Sequence, residues 1–128
     1  MKRFLLVLTL FLMPSQVFAS GDICSFGEKT LNQTSFELKD FFEDEIKDGT
    51  FRVDGRVRNV SPKSSATSLY DVKIDCGNDI IVVVATGSSH VEKLRVGDRE
   101  SFDCKIYKYI RRFYRASDKV YIKFWCFD

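Results

Sequence analysis

A chain of 128 residues allows one folded domain, and its 20 basic and 18 acidic residues leave a net charge of only +2, so no overall charge excess selects a partner. The four cysteines are separated by 52, 28 and 22 residues, which matches no zinc motif, and the one histidine supplies no second ligand type. No phosphate-cradling glycine loop is present, so neither a metal nor a cofactor is expected.

The first 19 residues read as a signal peptide. Lys2 and Arg3 form a positive start, and Phe4 to Met13 is apolar apart from Thr9. Pro14 and Ser15 break that run, and Val17-Phe18-Ala19 places small residues before a cut at Ser20. The run is too short to span a bilayer, and no cysteine follows the cut, so no stable membrane anchor is expected after cleavage. The compact signal suggests a bacterial protein, periplasmic or secreted. Cleavage removes two basic residues and no acids, leaving 18 of each sign. The balance is uneven: residues 20–50 carry eight acids and three bases, and residues 51–128 carry ten acids and fifteen bases. Either the acidic N-terminal part lies on the basic part, or the basic part faces an anionic ligand.

Residues 20–33 read as an irregular lead-in holding Cys24. Thr34 and Glu37 have capping-box spacing, and Leu38, Phe41, Phe42 and Ile46 share one helical face, predicting an amphipathic helix over 34–47. Asp48-Gly49 ends it. Such a face ordinarily docks on its own domain, with partner binding as the rival reading.

From Phe51 the period becomes two. Phe51, Val53, Gly55 and Val57 alternate with Arg52, Asp54, Arg56 and Arg58, and mid-strand Gly55 suggests a bulge or sharp coil. Ser61 to Ser68 is a polar loop. A second strand runs from Tyr70 to Cys76, and Gly77-Asn78 marks a turn. Ile80 to Ala85 is a third strand, buried on both faces or covered at one end. His90 to Leu94 gives a short helical turn, and Val96-Gly97-Asp98 turns into a fourth strand with Phe102, Cys104 and Ile106 inward. The last strand, Lys119 to Phe127, puts Val120, Ile122, Phe124 and Cys126 on one face.

A mainly β fold follows, a five-stranded OB-fold barrel over 51–128 preceded by a lead-in and helix over 20–50. The pieces FRVDGRVRNV, LYDVKIDCGNDIIVVVA and VEKLRVGDRESFDCKIYKY resemble the tRNA_anti-like group of bacterial OB-fold proteins, with LRVGD the most telling. The resemblance spans Phe51 to Phe127, implies a barrel and transfers no catalytic residue.

An even cysteine count in an exported domain favours two disulfides, with three pairings open. A hairpin of strands four and five centred near Tyr114–Arg115 would bring Cys104 opposite Cys126, leaving Cys24 for Cys76. A mature domain of about 109 residues buries a real core, so the bridges assist it rather than replace it.

The stretch Lys105 to Arg115, KIYKYIRRFYR, is the candidate site. Lys105, Lys108, Arg111, Arg112 and Arg115 offer charge-assisted bonds to phosphates or carboxylates. Tyr107, Tyr109, Phe113 and Tyr114 offer stacking surfaces. The rival reading is a plain hairpin in which tyrosines favour strand and lysines protect an edge. Trp125 is either a stacking platform or, as favoured, packed beneath the 34–47 helix against Phe41 and Phe42. His90 reads as a solvated loop residue, so no enzyme activity is expected. The expected function is non-catalytic binding of an anionic polymer or head group: nucleic acid, glycan or lipid. The alternative is a protein-binding or structural module of an envelope, secretion or conjugation complex, acting through the helix and an exposed strand edge. No motif sets the oligomeric state.

Overall fold

The computed structural model describes residues 21–62 and 68–128; the expected signal peptide and most of the polar loop lie outside the described residues. Two helices come first, α1 (Ile23–Thr30) and α2 (Ser35–Phe41), the latter running into a π turn over Phe42–Ile46. Five strands follow: β1 (Thr50–Pro62), β2 (Tyr70–Gly77), β3 (Ile80–Thr86), β4 (Arg99–Phe113) and β5 (Val120–Phe127), with a 3-10 helix over Ser89–Lys93 between β3 and β4.

The strands form a closed ring in the order β1-β2-β3-β5-β4, with β4 returning to β1. Four of the pairings are antiparallel, and β3 runs parallel to β5. Each strand therefore has two neighbours, so binding through an exposed strand edge has no wholly free strand to use. The period-two pattern explains the interior. Phe51, Val53, Val72, Ile74, Val82, Val84, Ile106, Ile122 and Phe124 point into the ring and are fully buried. Each such side chain contributes about 1.5–3 kcal/mol of burial energy.

Gly55 falls in the inward register of β1, where the strand changes partner. Up to Arg56, β1 pairs with β4; from Arg56 onward it pairs with β2. The register irregularity itself lies just beyond, between Val57 and Asn59. The glycine is needed for closeness, because a Cβ at Gly55 would stand 2.6 Å from the Asp75 carbonyl oxygen of β2.

The lead-in is not irregular. Residues Ile23–Thr30 form a helix whose first turn is capped by Asp22, which accepts from the Cys24 N–H at 2.9 Å. Gly27 hides this helix from pattern reading, since it is a poor helix former. Its lack of a side chain lets α1 lie against Ile80, with Ile80 carbons 3.1 Å from where a Cβ would be. The Thr34–Glu37 capping box forms as expected, with bonds of 3.1 and 2.8 Å.

Both helices close one mouth of the ring. Phe26 meets Phe51 edge-on at 5.2 Å, Phe42 tilts against Tyr109 at 4.6 Å, and Leu38 and Ile46 are buried. The docking face expected of the 34–47 segment is thus used on its own chain. At the other end, Val91 of the 3-10 helix is fully buried and Leu94 and Tyr70 pack on the core. Two disulfides, Cys24–Cys76 and Cys104–Cys126, tie α1 to β2 and β4 to β5.

The β4–β5 hairpin turns later than expected. Phe113 pairs with Val120 and the Tyr114 N–H donates to the Lys119 carbonyl at 2.9 Å, centring the turn near 116–117. Arg111 to Phe113 are strand residues. The turn holds a left-handed Ala116 with φ 56°, and a bulge falls between Ile106 and Lys108. Cys104 and Cys126 consequently meet on a diagonal, with Ile106 directly opposite Cys126.

Candidate anion-binding face

Directly paired residues share a face of a sheet, so the register assembles the outer surface. One row crosses five strands: Asn59 on β1, Lys73 on β2, Val83 on β3, Trp125 on β5 and Lys108 on β4. The next row holds Asp75, Ile81, Lys123 and Ile110, and beyond it Tyr121 pairs with Arg112. Val83 is only 8% exposed although it faces outward, so long side chains cover this surface.

These rows border a groove of about 620 Å³. Five cations line it: Arg58, Lys73, Arg112, Arg115 and Lys123. Phe113, Tyr114 and Tyr121 add aromatic walls, with Ile81 between them. Among the described residues, Arg58 pairs with Asp75 at 3.5 Å, whereas the other four cations form no salt bridge. Four like charges on neighbouring strands repel one another, and an anion placed among them relieves that repulsion.

Asp79, at the β2–β3 turn, accepts a 2.6 Å hydrogen bond from the Tyr114 hydroxyl. That bond, then desolvation, then the Asp79 and Asp75 charges push the Tyr114 phenol up from 10.0 to about 12. The bond fixes the hairpin base against the opposite turn, while Tyr114 also leans on Tyr121 with centroids 5.0 Å apart. A raised phenol pKa means that the protonated side chain favours the folded state. Its contribution is complete below pH 10 and disappears as pH climbs through about 12. Because the ring is exposed, the contribution is about 1 kcal/mol or less. Tyr114→Phe should lower the urea midpoint slightly at neutral pH. The gap from wild type should close between about pH 10 and about 12, read as paired melts across pH.

The sequence-predicted residues divide. Lys108, Arg112, Phe113, Tyr114, Arg115 and Trp125 lie on this face or at its hairpin end. Tyr107 sits at the bulge and stacks on Phe127 at 4.6 Å, with Lys105 paired to Phe127 farther along the strand. Tyr109 and Arg111 belong to the opposite face. They pair with the inward Phe124 and Ile122; Tyr109 packs on Phe42, and the Arg111 guanidinium donates to the Thr30 and Gln33 carbonyls, each at 2.6 Å. Arg111 therefore caps the end of α1, where carbonyls lack helical partners.

Trp125 does not lie beneath the helix. It stands outward between two ammonium groups, Lys108 Nζ at 4.8 Å and Lys123 Nζ at 5.4 Å from the ring centroid. The expected covering residues are engaged elsewhere, Phe41 with Phe26 and Phe42 with Tyr109. Sequence reasoning also left out Arg58, Lys73, Tyr121 and Lys123. Alternation put each of them outward; Tyr121 and Lys123 join the face through the β4–β5 pairing, and only the parallel β3–β5 contact brings Arg58 and Lys73 beside the hairpin.

His90 is exposed, as a loop histidine would be, yet it has partners. Ser88 Oγ lies 2.6 Å from Nδ1, and Glu100 Oε2 lies 3.3 Å from Nε2. The row of hydroxyl, imidazole and carboxylate ties the 3-10 helix to β4. The imidazole side chain is 58% open to water. Comparison of the chain with protein-family models, curated proteins and solved structures found no match.

Proposed function

We propose that this protein is a non-catalytic, exported OB-fold binding protein whose ligand is anionic. The strand order and the switch of β1 from β4 to β2 at Arg56 support the OB-fold reading. Two disulfides support an oxidising compartment such as the periplasm, and among the described residues no helix is long and apolar enough to cross a membrane. The observation that carries the ligand class is the groove cluster: five cations converge from the strands and the hairpin, and among the described residues four of them lack a carboxylate partner.

Salt-dependent retention on immobilised heparin tests this. Replacing Arg112, Arg115 and Lys123 together by alanine should weaken retention and lower the salt slope by roughly 2, at about 0.7 per lost contact. Arg111→Ala is the control. It removes two charge-assisted bonds and should destabilise the fold by about 1–3 kcal/mol while leaving the salt slope unchanged. Retention of the triple variant equal to wild type would overturn the reading.

A further inference from the structure

Arg112 and Phe113 wall two depressions at once. On one side is the cationic groove; on the other is a crevice of about 510 Å³ between the hairpin and the helices. Leu31, Leu38 and Val120 give that crevice apolar walls, and Ser35, at the start of α2, forms its far bank. The two most exposed phenylalanines of the described residues flank this place. Phe113 is 68% exposed on the hairpin side, and Phe36, next to Ser35, is 82% exposed on α2. Tyr114, 38% exposed, follows Phe113 in the hairpin. Phe113 can stack on a base or sugar of a soluble ligand in the groove, but Phe36 stands outside the groove and gains nothing from one. At a bilayer surface, apolar rings enter the interfacial layer while neighbouring cations meet the head groups.

We infer that the hairpin end and the first turn of α2 dock this protein on a bilayer surface rich in anionic phospholipid, with Phe36 and Phe113 entering the interface and Arg112, Arg115 and Lys123 taking the phosphates. The inference rests on the anionic-ligand reading and narrows it to lipid. Charge at the contact is favourable on the hairpin, where Arg112, Arg115 and Lys119 outnumber Asp118. On α2, Glu37 and Asp40 are acidic and Lys39 is basic, so the helix contributes its apolar ring and the hairpin the positive charge.

Sedimentation of the intact chain with vesicles tests it. Binding is expected to phosphatidylcholine vesicles containing phosphatidylglycerol and not to pure phosphatidylcholine. Phe36→Ser, at an exposed position outside the groove, should weaken vesicle binding roughly tenfold and leave heparin retention unchanged, and Phe113→Ser should weaken vesicle binding by a similar factor. Arg112→Ala should weaken both, by about fivefold on vesicles. Excess inorganic phosphate at constant ionic strength should not displace the vesicle-bound protein. Heparin retention without vesicle binding, or phenylalanine variants that bind vesicles as wild type does, would overturn the lipid inference and leave the broader reading standing. Loss of both binding modes in the wild type would overturn both.

Discussion

Gly55→Ala is expected to lower the unfolding free energy by about 3 kcal/mol or more, seen as a large drop in the urea midpoint followed by Trp125 fluorescence. The new methyl would stand 2.6 Å from the Asp75 carbonyl oxygen and 2.8 Å from Ile74 Cγ2. The first of these is main chain, held in the β1–β2 ladder by the Arg56–Asp75 pairing. It can retreat only if β1 separates from β2 at the point where the ring closes. Gly97→Ala makes the contrast. Gly97 has φ 97° with nothing within 4 Å of a Cβ, so it should lose about 1 kcal/mol of backbone preference and no packing. A Gly55 variant as stable as the Gly97 variant would show that the strand crossing is looser than described.

Removing the disulfides is the second large effect. Loop-closure entropy assigns about 4 kcal/mol to the Cys24–Cys76 bridge and about 3 kcal/mol to Cys104–Cys126, from separations of 52 and 22 residues. Either loss is a large share of the roughly 5–15 kcal/mol that holds a domain of this kind together. The bridges differ in access. Cys104 and Cys126 are 2% and 0% exposed, whereas Cys24 and Cys76 are half-buried at the helix-covered mouth. Graded reduction with alkylation and mass measurement should therefore label Cys24 and Cys76 first. Replacing that pair by serine should loosen the helices before the ring, so helical amide protons should exchange faster than those of β3 and β5. Simultaneous labelling of all four thiols would contradict this order.

Alternation made the strands legible, because each has one face toward the core and one toward water. The inward sets around Phe51, Val72 and Phe124 follow from that pattern. The cysteine pairing also followed from shared inward faces, although the later turn set the two partners on a diagonal. The bulge at Tyr107 was the blind spot for the site. One extra residue reverses every side chain beyond it, sending Tyr109 and Arg111 to the helix side and leaving Lys108 and Arg112 outside. A run of basic and aromatic residues has no periodicity to mark such a slip. Lys73 and Lys123 were hidden for a different reason. They are 50 positions apart in the chain, and only the parallel β3–β5 pairing makes them neighbours across β3.

The cysteines pair first with second and third with fourth, so neither bridge straddles the other. A polypeptide emerging amino end first would finish the earlier link before either thiol of the later one has arrived. A thiol oxidase that simply joins sulfurs as they appear would then make the native set, with no call for an isomerase to reshuffle wrong partners. Maturation yield should accordingly depend on the oxidase supply alone.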